Sequence, residues 1–394
     1  MRRAAARLDR RRALKLLTAV GAASLPAVGF AQAQRRRVVV IGAGIIGASI
    51  AYHLARRGAR VLVLEKASPG SGATQGAFAM LIATHDGGDR AFNDLYGLAV
   101  RDWRRLQGEL PGIRVQWGGT CTWAPPGPAA KTLEALTRQL QGWGAPIRPL
   151  DAAELVRLTP GVVPGPFGAG SFSPEQGTLD PMQALGALQA AARRTGVEFR
   201  FPCEVTSLTT DGHTITAVHT KDGPVLGDVF VLAAGAAVPQ LADHVGVKVP
   251  INLVSGTLAH SAPRPPVLGR VLNGPAGSLK QDPDGRIVFG FDYRPGANGT
   301  DTSQAYGEAL LATAATVFPP FAGARLETMT LGYVPIPVDT HPIVGFCAAP
   351  ANLYVALTMS GITMAPLMGR MAAAEIVGGV GEATLAPYRA ARFA

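Results

Sequence analysis

A chain of 394 residues, 47% hydrophobic and only 16% charged, is long enough for one large or two interleaved domains with a sizeable core, which excludes a disordered or repeat protein. The formal charge of +10 is concentrated: seven Lys/Arg and one Asp fall in residues 1–33, leaving +4 for the remainder, where no basic stripe with interleaved aromatics argues for nucleic acid as a partner. Three cysteines without a C-x-x-C pair and seven histidines without ligand spacing argue against a disulfide framework and a metal site.

In chain order, the first predicted element is a leader. From Asp9 the sequence reads DRRRALKLLTAVGAASLPAVGFAQAQ. Arg10 and Arg11, then Leu14 and Lys15, precede a weakly apolar run ending in A-Q-A at Ala33. A basic region, an apolar region and a small-residue cleavage site predict a secretory signal over residues 1–33. The paired arginines resemble a twin-arginine signal, with Ala13 where Phe is commoner, and predict export of a folded protein to the periplasm. The apolar run is too short and too weak for a transmembrane span.

Residues 37–41 predict a buried parallel strand. Gly42, Gly44 and Gly47 then complete G-x-G-x-x-G, residues 45–57 have helical spacing, and Gly58 stands where a helix cap is wanted. The first glycine permits a tight turn, the second lets the backbone approach a pyrophosphate, and the third lets helix and strand pack closely. The helix N-terminus adds N–H donors and a positive dipole end for an anion. Residues 60–66 predict a second strand tipped by Glu65, whose carboxylate can accept hydrogen bonds from ribose hydroxyls. An acid rather than an Arg at that tip disfavours a 2′-phosphate. A dinucleotide site follows.

The loop 68-SPGSGATQGAFAM-80 is rich in small and hydroxyl residues able to lie along a long cofactor. Residues 228-DVFVLAAGA-236 predict another buried strand, and 353-LYVALTMSGITMAPLMGRMAAAEI-376 a strand, a turn and a helix, whose N-terminus is a second place to meet a cofactor.

The order of 39-VVIGAGIIG-47, 64-LEK-66, 72-GAT-74, 177-GTLDP-181, 229-VFVLAAGA-236, 339-DTHPIVG-345 and 360-SGITMAP-366 resembles the D-amino-acid oxidase (DAO) family of FAD enzymes, which includes glycine and sarcosine oxidases and D-amino-acid dehydrogenases. The resemblance runs from about residue 37 to the C-terminus. It implies an α/β fold: a discontinuous Rossmann-like FAD-binding domain over 34–85, 165–243 and 326–394, and an α+β substrate domain with an antiparallel sheet over 86–164 and 244–325. Carried over, Gly42, Gly44, Ile46 and Gly47 face the FAD pyrophosphate, Glu65 and Lys66 the adenosine end, Ala73 and Thr74 the phosphate and ribityl chain, Val205, Ala234 and Gly235 the adenine side. Gly361, Ile362 and Thr363 present N–H groups to the flavin. The implied chemistry is hydride transfer from a CH–NH group of a D-amino acid or small amine to flavin N5, with O2 or a respiratory quinone or carrier as the electron acceptor.

The sequence departs from the family at informative places. Where many amino-acid-oxidising members have G-x-R-P, with the Arg clamping a substrate carboxylate, this chain has 332-GYVP-335 and therefore Val334. Replacement cations are Arg294, Lys280 and His341. Tyr333 and Tyr293, with Arg294, are the candidate catalytic residues near the flavin face. Met359 stands where relatives often have His, and Ala79 where a Gly commonly closes the loop. A Cys for covalent attachment is expected near Gly332 and is absent there, so FAD is expected to be non-covalent. The oxygen-activating Lys of some members has no counterpart in the apolar 287-IVFG-290, which favours a dehydrogenase. The missing Arg and His leave two alternatives: oxidation of a hydroxy acid or carboxylate-free substrate, or a flavin-bound protein without catalysis. Trp103, Trp117, Trp123 and Trp143 fall in the expected substrate domain, as core residues or as a cage for a cation.

Overall fold

The computed structural model describes residues 36–85, 88–290 and 299–394. Tyr293 and Arg294 lie outside the described residues.

The predicted strand–turn–helix forms as read. Strand β1 (Arg37–Ile41) is buried from Val38 onward and sits between β2 (Arg60–Leu64) and β13 (Val229–Leu232), parallel to both. Outside these lie β9 (Glu198–Arg200) on one flank, and β20 (Leu353–Leu357) with the antiparallel β19 (Ile343–Phe346) on the other. Four strands with near-continuous Val/Leu/Ile runs at the centre of a six-stranded sheet are what burial on both faces demands. One face carries α1 (Ile45–Arg56), α2 (Arg90–Glu109), α5 (Pro181–Arg194) and α8 (Gly361–Gly378), whose apolar sides share one core with Val38 and Val40. The other face is covered by a small sheet of β10 (Val205–Thr210), β11 (Ile215–Thr220) and β12 (Gly223–Val225), and by α6 (Val238–Asp243).

A second sheet has eight strands in the order β18-β14-β17-β16-β15-β5-β7-β6. Its members are β5 (Thr120–Ala124), β6 (Arg148–Pro149), β7 (Ala169–Ser173), β14 (Ile251–Ser261), β15 (Val271–Gly274), β16 (Gly277–Gln281), β17 (Ile287–Gly290) and β18 (Leu326–Pro337). Pairing is antiparallel throughout, except between β5 and β15. Its core includes Trp123, Leu279, Phe289 and Phe318, beside α7 (Gln304–Val317). Helix α3 (Pro128–Gly142) flanks β5 to β7, and α4 (Ala152–Leu158) adds Leu155 to the same core. Three short strands, β3 (Met80–Leu81), β8 (Gly177–Leu179) and β4 (Val115–Gln116), form a sheet of their own.

Two segments sit differently from the sequence boundaries. Helix α2, read as part of the second domain, packs on α8, and its Trp103 is fully buried in the parallel-sheet core. Strand β7, read with the cofactor domain, belongs to the eight-stranded sheet.

At its far end α8 is pinned by the C-terminal tail. The buried Glu375 carboxylate accepts from Tyr354 Oη at 2.7 Å, from Glu382 N at 2.7 Å and from Arg389, whose second nitrogen pairs with the other oxygen. Burial works to raise this carboxyl, yet these donors hold it below the usual range. All three cysteines are buried free thiols. No group of His, Cys, Asp and Glu among the described residues could hold a metal ion, and no described helix is long and apolar enough to cross a membrane.

Candidate functional site

The glycine turn joins β1 to α1. Gly42 has φ +105°, and a Cβ there would lie 2.5 Å from the Ala233 carbonyl oxygen. At Gly47 a Cβ would overlap the Gly42 carbonyl oxygen, so helix and strand touch backbone to backbone. Gly44 is different: apart from Thr74 Oγ1 at 3.3 Å, the space beside it is open. One glycine makes the turn, one makes the packing, and the middle one leaves a cradle that a side chain would fill. The first-turn N–H groups have no acceptor within the helix. That of Ile45 is met by Thr74 Oγ1 at 3.2 Å.

Glu65 does more than reach for a ribose. One carboxylate oxygen accepts from Ala43 N at 2.8 Å and the other from Ala67 N at 3.0 Å, tying the turn to the tip of β2. The backbone of Glu65 pairs with Arg200 and Cys203, which brings the start of β10 and Val205 alongside. Lys66 is exposed. Ala234 lies against Gly42, and Gly235 follows with φ +56° and open space around it.

The N-terminal turn of α8 completes the arrangement. A Cβ on Gly361 would sit 3.8 Å from Ile46 Cγ1, so the two helix N-termini meet. Thr363 Oγ1 donates to Met80 O at 3.1 Å and accepts from Ile82 N at 3.2 Å, fixing this turn to β3. The loop bearing Thr74 lies against the glycine turn, and its Gly76 packs on the backbone of Leu331 and Gly332 at β18. Ala79, where a glycine was expected, keeps a glycine-like φ of +61°.

Strands β14 and β18 form a long ribbon in which Val254 pairs with Val334 and Ser255 with Tyr333. Val334 is buried with Val254 and Ile336, and Met359 packs on them. Tyr333 points to the other face and is 45% exposed. The two departures read from sequence, Val334 and Met359, thus form one apolar surface immediately before the α8 turn.

Lys280, offered as a replacement cation, does not reach that surface. It pairs with Val288, and Val288 with His260, which is six residues from Val254 along β14, about 20 Å at ~3.4 Å per residue. Its ammonium is 1% exposed, 2.6 Å from Asp282 and 2.7 Å from Leu179 O, with the Phe78 ring 5.5 Å away. Burial pushes the Asp282 carboxyl up, against the pull of Lys280. His341 sits between the rings of Phe92 and Tyr388, its Nδ1 donating to Asp339 O at 2.7 Å. Cys347 lies in the core on the opposite face of the sheet from α8, and burial pushes its thiol up to about 12, which keeps it protonated.

Sequence reading missed the residues behind the α8 turn. Tyr96 Oη is 2.9 Å from Ser360 Oγ, and Trp103 Nε1 donates to Ile362 O at 2.9 Å and Thr363 O at 3.1 Å. Their spacing of seven on α2 was the available signal. The other tryptophans are placed apart: Trp117 under Arg104 with Nε1 on Gln107, and Trp123 in the second core.

The residues present fit a dinucleotide with a second group at the α8 turn: an open glycine cradle, helix-end donors and a loop bearing a buried hydroxyl. Comparison with known proteins agrees. The description FAD dependent oxidoreductase (DAO) matches residues 37–375. Glycine oxidase of Geobacillus kaustophilus is 26% identical over 352 residues, 86% of this chain and 92% of the relative. Its solved structure superposes with a TM-score of 0.82, covering 90% of this chain and 98% of that one. One of the chains of the opine oxidase of Agrobacterium tumefaciens is 25% identical over 369 residues, 90% of this chain and 97% of the relative. The structure of iminodiacetate oxidase from Chelativorans sp. BNC1 superposes with a TM-score of 0.77 at 26% identity, covering 90% of this chain and 98% of that one. The chain belongs to the DAO family of FAD-dependent oxidoreductases, with FAD as its cofactor.

Proposed function

We propose that the protein oxidises the CH–NH group of a D-amino acid or related small amine. The observation that carries this reading is the meeting of three parts: the glycine turn, the α8 turn against Ile46, and the β14–β18 ribbon ending beside Met359. Bound FAD supplies the two-electron acceptor. Oxidation of the C–N bond gives an imine, which water hydrolyses to a carbonyl compound and an amine. The chain's own part is orientation and electrostatics. The N–H groups and positive end of α8 favour negative charge beside them, and the ribbon packs the substrate. Relatives named for glycine, an opine and iminodiacetate, all CH–NH compounds, support the substrate class.

Val334 and Met359 favour a second reading, a substrate with no carboxylate at that position or a hydroxy acid. An apolar surface rewards an alkyl group and leaves a carboxylate unpaired. The buried apolar β17 supports a dehydrogenase handing electrons to a quinone or carrier rather than to O2. Residues 1–33 are read as a twin-arginine export signal to the periplasm. Replacing Arg10 and Arg11 by Lys is expected to hold the precursor in the cytoplasm, and continued export of that variant counts against the reading.

The deciding experiment is the visible spectrum of residues 34–394 without oxygen, before and after pooled D-amino acids, amines or hydroxy acids. Bleaching by the first pool supports the main reading, and bleaching by carboxylate-free amines or by hydroxy acids the second. A flavin that none of a broad set reduces favours a flavin-bound protein without catalysis.

A further inference from the structure

Helix α8 has a flaw in its first turns. Residue 366 should donate its N–H to the carbonyl of Ile362, but residue 366 is proline and has no N–H. The carbonyl of Ile362 is in the buried part of the helix, where an acceptor left without a donor is costly. The missing donor comes from another helix: Trp103 Nε1 reaches Ile362 O at 2.9 Å and shares the next carbonyl, Thr363 O, at 3.1 Å. An indole has one donor and no acceptor, and Trp103 is wholly buried, so this is the use its N–H has. Two turns earlier on the same face of α2, Tyr96 bonds Ser360.

We propose that Trp103 is a positioning residue for the flavin: it replaces the hydrogen bond that Pro366 cannot make, and with Tyr96 it sets the aim of the Gly361–Thr363 N–H groups. This rests on the reading that those N–H groups face the flavin. An ordinary helix aims its first turn through its own ladder. Here the ladder holds at its first rung, Met364 N to Ser360 O at 2.9 Å, and is broken at its third, so the turn is also held from α2 on one side and, through Thr363 Oγ1, from β3 on the other. Exchanging the indole for a ring without a donor frees the turn to tilt while leaving most of the packing in place.

The test compares Trp103→Phe, Pro366→Ala and the double variant in the full chain, reading FAD affinity of the apoprotein, the flavin midpoint potential and absorption bands of the reloaded protein, and thermal midpoint. Trp103→Phe is expected to weaken FAD binding about tenfold, the scale of one buried hydrogen bond, and to shift the potential. Pro366→Ala alone is expected to do little. In the double variant the restored N–H of residue 366 satisfies Ile362 O, and most of the lost affinity and the native potential return. A double variant as impaired as Trp103→Phe overturns the proposal. So does a Trp103→Phe protein that melts earlier but keeps native affinity and potential, since the bond is then structural only. Should Trp103→Phe fail to fold, the double variant must fold and bind FAD; equal failure of both overturns it. Gly361→Val separates the two layers. If it leaves FAD affinity unchanged, the flavin reading falls and takes the proposal with it; if it weakens binding while Trp103→Phe does not, only the role of Trp103 falls.

Discussion

Helix α1 begins at a turn completed by its near neighbours in sequence: Glu65 and Thr74, 22 and 29 residues away, hold Ala43 N and Ile45 N. Helix α8 begins at a turn held from a distance, with 264 residues separating Tyr96 from Ser360 and 259 separating Trp103 from Ile362. On the reading proposed above, both ends would serve one cofactor. The first is built by glycines that let backbone meet backbone, and the second by two aromatic side chains, of which Trp103 replaces a backbone bond and Tyr96 holds the Ser360 side chain. At Gly42 and Gly47 the glycine-built end tolerates no added atom; an aromatic-built end tolerates small changes in shape but not loss of its donors.

The largest expected effect tests the first half of that contrast. Gly47→Ala puts a methyl into the Gly42 carbonyl oxygen. We expect destabilisation at the upper end of the roughly 1–3 kcal/mol typical of overpacking and a protein purified without flavin, read by urea midpoint and absorbance. A stable yellow variant breaks the argument that α1 and β1 touch through backbone.

The next effect probes the seam between the two helices. His53 is buried beside Gly369 of α8, its Nδ1 2.9 Å from Ser49 O, and burial lowers it to about 4 from 6.5. The Ser49 carbonyl, Asp102 and Glu109 work against that shift, and Arg105 adds to it. Because the folded value lies below the unfolded one, the unfolded chain takes up the proton first. Stability is full above about 6.5 and is lost as pH falls towards 4, on the order of 3 kcal/mol from this group. Chemical denaturation at pH 7 and pH 5 checks it; His53→Gln is expected to flatten the difference.

Two smaller effects sharpen the picture. Thr74→Val removes the acceptor for Ile45 N and should cost about 1 kcal/mol, as lost caps do, with weaker FAD binding by titration. Ala79→Gly runs the other way: at φ +61° the methyl is strained, and its removal should raise stability by ~1 kcal/mol. A lower melting temperature would show that the methyl is needed for packing.

The cradle was legible because its determinants are short-range: the strand, glycines and acid all fall within residues 37–65. The place of Val334 was legible because the G-x-x-P frame around the missing Arg is intact. The indole on Ile362 was not, because no local pattern links two residues so far apart, although Pro366 inside a helical stretch announces a carbonyl in need of a partner. Lys280 was offered as a replacement cation because the sequence does not reveal that Asp282, two positions on, is buried with it. Tyr333 was placed near the flavin face by motif position; that the register of β18 puts it on the side opposite Val334 and leaves it 45% exposed was not legible in the motif.

The parallel sheet has a consequence for the order in which the protein is made. Its centre joins β1 and β2, synthesised first, to β13 and then β20, which comes near the end. The α8 turn follows β20, and the Glu375 clamp needs Arg389, five residues from the last. A growing chain on the ribosome therefore has the glycine turn but not the surface that faces it. If FAD needs both turns, as proposed above, its loading is expected to wait until α8 has been made, and a chain halted before β20 is expected to hold no flavin.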